Sequence, residues 1–245
     1  MWILLAGILA VILLAYVTNY TRKAHIREIT TAQNQSSDPN IFMLCERANE
    51  SAFAELPEGF HIRKCRLDEL ELWKRMPFDD EKTAEQYLGF IDKFFDTVYA
   101  PKGNLFYEKC LFAAEQQNDI PIATCFAWKS YDKITTLAWY KVKKEYEGRG
   151  IGRALLTEVM RSLSPQDYPV LLHTQPESYR AIKLYSDFGF KILTDEKVGK
   201  RDNHISKCLS NLKDVLPAAD FNNLQFTTAT KELLDFLAEQ ELYEF

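Results

Sequence analysis

Gly148, Gly150 and Gly152 stand close together in the stretch EYEGRGIGRALL, on a chain that holds nine glycines in 245 residues. They separate a strand-like run, ITTLAWYKVKKEY from Ile134, from a helix in which Ile151, Leu155, Val159 and Leu163 make one apolar face. Two needs call for glycine at a strand-to-helix junction. The backbone turns sharply there without a Cβ penalty, or something approaches it closely. The first amides of a helix lack intrahelical partners and point outward with the positive end of the dipole behind them, so the place binds phosphate readily. The loop Glu147, Gly148, Arg149, Gly150, Ile151, Gly152 and Arg153 is therefore a candidate pyrophosphate cradle. Arg149 and Arg153 either add charge at its rim or are solvated surface arginines. The spacing is G-x-G-x-G rather than the G-x-G-x-x-G of a dinucleotide fold, and no lysine followed by Ser or Thr comes after the last glycine. The remaining kinase signatures are absent as well.

Around this junction strand and helix signals alternate. Phe60 to Cys65 reads as a strand and Asp68 to Met76 as a helix closed by Pro77. Tyr87, Phe90, Ile91, Phe94, Phe95 and Val98 recur at helical spacing. Strands are expected from Leu105, Ile120 and Ile134, the first two joined by the turn QNDIP. Tyr168 to Thr174 is a near-continuous apolar run of the kind buried parallel strands show. Ser178 to Phe188 reads as a helix that Gly189 stops. FKILTDEKV and NHISKCLSN are expected to form a closing hairpin, and Thr230 to Leu242 an amphipathic helix. The expectation is an α/β fold built on a mixed sheet.

The N-terminal run Trp2 to Val17 carries no charge and is followed by Arg22, Lys23, His25 and Arg27. Its length and flank suggest a transmembrane anchor with the rest of the chain facing the cytoplasm, against the alternative of a buried hydrophobic helix. The polar stretch Thr30 to Asn40 reads as a linker. The organisation expected is an anchor over residues 1–20, a juxtamembrane segment and linker over 21–59, an α/β domain over 60–211 and an extension with an amphipathic helix over 212–245. A formal net charge of -5 argues against a nucleic-acid partner. Cys45, Cys65, Cys110, Cys125 and Cys208 form no C-x-x-C pair and the histidines do not gather near them, so no metal is expected.

The glycine loop and the later segment HTQPESYRAIKLYSDFGF, His173 to Phe190, together resemble the GNAT superfamily of N-acetyltransferases. Glu147, Gly150 and Gly152 fall on its pyrophosphate-loop motif. Ser178, Ala181, Tyr185, Gly189 and Phe190 fall on its second segment. The element order from Phe60 to Asn211 fits that fold as well. Glu147 departs from the family's Gln or Arg, Ser178 from its Asn, and Lys144 from a frequent Pro.

The resemblance implies acetyl-CoA as co-substrate and an amine on a small molecule or a protein as acceptor, joined by direct attack in a ternary complex. It also implies that the strand before the loop splays from its parallel neighbour. Backbone groups near Tyr140 and Val142 would then hold the pantetheine arm, and Ser178 would bond it or cap its own helix. Tyr185 is the candidate acid for the leaving thiolate, or else a core tyrosine packed on Phe188 and Phe190. His173, and more weakly Glu115, are candidate bases, although some family members need none. A catalytically inactive CoA-binding sensor and a membrane-tethered interaction platform are the alternatives. A homodimer is left open.

Overall fold

The computed structural model describes residues 2–35 and 39–245, with the side chains of residues 2–16, 34 and 35 outside the description. Helix α1 runs from Trp2 to Gln35. The stretch expected as a linker is thus helical up to Gln35. Among the described residues no helix is long and apolar enough to cross a membrane. The anchor expected over residues 1–20 rests on side chains that, up to Tyr16, lie outside the described residues, so neither it nor the cytoplasmic orientation is carried forward. The last turns of α1 instead pack on the domain. Ile26 and Ile29 join an aromatic cluster, and Glu28 pairs with Lys93.

Strand β1 (Ile41–Cys45) follows. All five of its residues are buried, and it lies between two later strands in the middle of the sheet. The domain core therefore begins well before Phe60, and the segment expected as a linker supplies one of its central strands. Strand β2 (Phe60–Lys64), helices α2 (Leu70–Arg75), α3 (Glu81–Phe94) and α4 (Leu105–Lys109), and strand β3 (Leu111–Glu115) come next. The expected strand from Leu105 begins only at Leu111, because its first turn is helical. Strands β4 (Pro121–Ser130) and β5 (Ile134–Val142) form a long hairpin that leads to helix α5 (Ile151–Arg161). Strand β6 (Val170–Thr174), helix α6 (Tyr179–Asp187) and strand β7 (Lys191–Leu193) complete the centre.

The expected closing hairpin is mostly replaced. Only β8 (Lys197–Val198) and β9 (Arg201–Asp202) pair as a short hairpin, while α7 (Ile205–Val215) is a helix with Cys208 and Leu212 buried. Ile205, Cys208, Leu212 and Leu216 recur at helical spacing, which the single short window around Asn203 conceals. Helix α8 (Ala218–Asn222), strand β10 (Phe226–Thr227) and helix α9 (Lys231–Glu239) end the chain.

Eight of these strands make one mixed sheet, in the order β10-β7-β1-β6-β5-β4-β3-β2. β1 is antiparallel to both β6 and β7, whereas β5 and β6 are parallel. On one face α5, α6 and α7 bury Leu155, Val159, Ile182 and Leu212 against Ile41, Met43 and Leu172. On the other, α2, α3 and α4 bury Trp73, Phe94 and Phe106 against Phe112 and Phe126.

Candidate active site

The parallel pair β5–β6 joins at Thr135 to Val170 and Thr136 to Leu171, and no further pairing follows along the two strands. The cause lies in β5. Thr124 faces Lys141 and Phe126 faces Ala138, so Trp139 and Tyr140 together oppose Cys125. This is a β-bulge, and Trp139 takes a left-handed φ of 51° to make it. A bulge bends its strand and strengthens the twist, which carries the end of β5 away from β6.

Aromatic packing pins the irregularity. The Trp139 indole N–H donates to Tyr99 Oη at 2.8 Å, and the indole packs edge-on against Trp73 at 5.5 Å. The extra residue also shifts the alternation of side chains. Ala138 and Trp139 both join the aromatic cluster, so Tyr140 and Val142 turn to the face that carries α5 and α6.

Between the splayed strands lies a cavity of about 540 Å³. Leu137 to Lys141 of β5, Leu172 to Thr174 of β6, and Ser178, Ala181 and Tyr185 line it on the sheet and α6 side. Phe90 and Phe94 of α3, Gln33 of α1, and Arg201, Glu244 and Phe245 wall it from the other direction.

At the glycine loop the three glycines do separate work. Gly148 and Gly150 have φ of 75° and 83°, a conformation that side-chain-bearing residues rarely adopt. Gly152 has an ordinary φ, but a Cβ there would lie 2.0 Å from Tyr140 Oη. The close approach anticipated for a ligand is thus made at this position by Tyr140. Gly150 sits at the N-cap of α5, and its carbonyl accepts from the Ala154 amide. The amides from Gly148 through Arg153 donate to no acceptor among the described residues. A row of free N–H groups at the positive end of a helix is an anion site.

The charged side chains of the loop are committed elsewhere. Arg149 donates to Glu145 O and lies over the Tyr146 ring. Arg153 pairs with Asp187 and donates to Ala52 O at 3.1 Å, tying α5 to α6. Both guanidinium groups are thus engaged by protein groups, and the unpartnered groups the loop presents are its backbone amides. Glu147, the acidic departure from the family motif, is paired with Arg180 at 3.1 Å. Ile151 and Val142 are buried core residues. Ser178 precedes α6 without a side-chain cap bond, and its residue lines the cavity.

Tyr185 also lines the cavity, with its ring edge-on to Tyr140 at 5.6 Å. Its hydroxyl has no hydrogen-bond partner among the described residues, and burial pushes its phenol well above the usual range. His173 Nε2 lies 2.8 Å from Asn40 Oδ1. Asn40 is itself held by His204, whose amide donates to its carbonyl and whose Nδ1 accepts from its amide. Burial, and then the Arg201 guanidinium, hold the pKa of His173 well below the ordinary imidazole value. The imidazole is therefore neutral and a weak base. Glu115 is not part of the cavity wall. It accepts from Tyr146 Oη at 2.7 Å, and that bond, followed by one from Asn118, lowers its pKa.

Arg201, Gln33 and Glu244 were not foreseen as site residues. Arg201 belongs to the polar turn GKRDN, and only the packing of the C-terminal segment over it brings it inward.

A sequence model described as the acetyltransferase (GNAT) family matches residues 68–190. Among solved structures, a tandem GNAT protein of the clavulanic acid biosynthesis pathway is 12% identical, with a TM-score of 0.48 over 63% of this chain and 50% of its own. An acetyltransferase assigned to the GNAT family from Novosphingobium aromaticivorans is 14% identical, with a TM-score of 0.41 over 63% and 59%. One from Colwellia psychrerythraea is 16% identical, with a TM-score of 0.43 over 64% and 54%. The chain thus spans between half and three fifths of the lengths of these structures. No curated protein matches it.

Proposed function

The chain belongs to the acetyltransferase (GNAT) family, and from that premise we propose that it transfers the acetyl group of acetyl-CoA to a primary amine by direct attack. The observation that carries this reading is the row of unpartnered amides from Gly148 to Arg153, at the start of the helix that follows the splayed strand β5. In the proposal those amides hold the pyrophosphate of CoA. They need no arginine clamp, because hydrogen bonds to an anion are strong and the α5 dipole adds to them.

The thioester supplies an activated acyl group: the C–N bond forms as the C–S bond breaks, the amine gives up one proton and the sulfur takes one. The unpaired edge of β5 beyond Thr136 presents backbone groups that hold the pantetheine arm and polarise the thioester carbonyl, in the manner of an oxyanion hole. Ser178 offers its hydroxyl to the same arm. Tyr185 donates the proton that the sulfur takes. Its hydroxyl is protonated throughout the working range and is not spent on another protein group. The burial that disfavours its phenolate also disfavours a free thiolate in the same cavity, so the proton passes as the C–S bond breaks. His173 enters as a neutral hydrogen-bonding group on the acceptor side and not as the base, because a second cation beside Arg201 in a buried cavity is disfavoured. The amine proton leaves to solvent, from which the Tyr185 phenolate regains the proton it gave.

The reading of an inactive CoA-binding sensor drew on Glu147, whose charge would repel phosphate, and on the missing base. Arg180 pairs with Glu147 at 3.1 Å, some family members need no dedicated base, and Tyr185 stands in the cavity, so the catalytic reading is the one we propose.

Calorimetric titration of acetyl-CoA into the full chain tests the proposal. Micromolar binding that is lost in Gly150→Glu, with the variant shown to be folded by circular dichroism, supports it. No binding by the folded wild-type chain overturns it.

A further inference from the structure

Arg201 is the most anomalous charged group in the molecule. It is 7% exposed, and its guanidinium lies over the rings of Phe42, Tyr243 and Phe245 at 4.8, 4.9 and 4.8 Å. No carboxylate pairs with it among the described residues, and no described acceptor takes a hydrogen bond from its side chain. Its Nε is fully buried without a partner. Aromatic faces offset part of a buried cation's cost, but they offer no lone pair to its N–H groups. A buried, unneutralised charge is among the least favourable groups a fold can retain. Here it lines the same cavity as Tyr185.

The acidic side chain of the same cavity does not pair with it. Glu244 also lines the cavity, but its carboxylate accepts from the Tyr131 amide at 2.6 Å, and burial raises its pKa. Gln33 adds a complementary group. Its amide nitrogen donates to Tyr243 O at 3.0 Å, which leaves Oε1 buried and without a donor on the cavity wall. One cavity therefore holds an orphaned cationic donor and an orphaned neutral acceptor, with Phe90 and Phe94 supplying an apolar wall.

We propose that the acceptor carries a carboxylate as well as its amine: Arg201 receives the carboxylate, Gln33 Oε1 takes an N–H, and the substrate class is a free amino acid or a small amine of that kind. A planar guanidinium matches a carboxylate with two parallel hydrogen bonds, which no uncharged acceptor reproduces. This inference rests on the acetyltransferase reading and narrows its acceptor.

The test uses the full chain with acetyl-CoA and matched acceptors, L-phenylalanine and glycine against their own amides. Free acids are expected to be preferred in kcat/KM by about tenfold or more, the range of one charge-assisted hydrogen bond. Arg201→Met should bring that ratio close to one, and Arg201→Lys should restore part of it. Equal or better turnover of the amides by wild type overturns the inference, as does a loss in Arg201→Met that falls equally on acids and amides.

A second arm does not depend on turnover. N-acetylphenylalanine should raise the melting temperature of the wild-type chain but not that of Arg201→Met. An equal rise in both overturns the inference. If acetyl-CoA does not bind at all, the acetyltransferase reading fails by the titration above, while this arm still reports on Arg201.

Discussion

The hydroxyl of Tyr140 occupies the space that a side chain at position 152 would need: a Cβ on Gly152 would lie 2.0 Å from Tyr140 Oη and 3.1 Å from Tyr140 Cζ. The third glycine of the loop is therefore matched to the bulge in β5, the strand that leads into it. The bulge turns Tyr140 toward α5, and α5 can start there only if its second residue has no side chain. The splay of the strands and the anion-binding helix start are thus one packing unit.

Gly152→Ala breaks this fit. Overpacking of this kind costs about 1–3 kcal/mol, read as a fall in stability to urea. Tyr140→Phe removes the atom in closest conflict, so the double variant should recover part of the loss. Simple additivity of the two changes in a double-mutant cycle would contradict the coupling.

Tyr185→Phe removes only a hydroxyl that bonds to no described residue. Under the catalytic reading kcat falls by about 10²–10⁴-fold while the acetyl-CoA affinity measured by calorimetry stays close to wild type. A matched fall in affinity with unchanged kcat would make Tyr185 a packing residue instead.

The pKa of His173 is depressed well below 6.5 in the folded chain, so the unfolded chain binds more protons once the pH falls beneath that value. Stability from this group is complete above pH 6.5 and is lost as the pH falls toward the folded pKa, by up to about 1.4 kcal/mol per pH unit. His173→Gln should flatten the dependence of stability on pH below 6.5 relative to wild type. Parallel pH curves for the two proteins would contradict the assignment.

Arg153 is engaged by Asp187 and by Ala52 O, and we infer that it ties α5 to its neighbours instead of holding phosphate. Arg153→Ala should lower stability by about 1–2 kcal/mol, as loss of one partner from a half-buried ion pair does, and leave acetyl-CoA affinity nearly intact. A large loss of affinity in a chain of unchanged stability would return Arg153 to the cradle.

How much of this could be read from the sequence follows from the range of the forces involved. The glycine loop was legible because positive φ and a helix start are local demands, met within a few residues. Tyr185 was singled out by the resemblance of its segment to a family motif and not by spacing alone; it lines the cavity because α6 packs locally behind its strand. β1 was not: its five apolar residues sit between polar flanks, and its place in mid-sheet depends on pairing with Val170–Thr174 and Lys191–Ile192, far along the chain. The partners of Arg149 and Arg153 were not legible for a related reason, since charge near a loop in sequence says nothing of which carboxylate or carbonyl lies nearer in space. Arg201 gave no signal at all. A lysine- and arginine-bearing turn reads as solvated surface, and it is the aromatic tail from Tyr243 to Phe245, stapled to Tyr131 through Leu242 O and Glu244, that encloses it.

The most direct test of the account is amide hydrogen exchange on the full chain, with and without acetyl-CoA, read in peptides that span Gly148 to Arg153. The account predicts rapid exchange there in the free protein and marked slowing when acetyl-CoA is present, because these amides acquire the acceptors they lack. Acetyl-CoA that binds while exchange in this segment stays unchanged would contradict it.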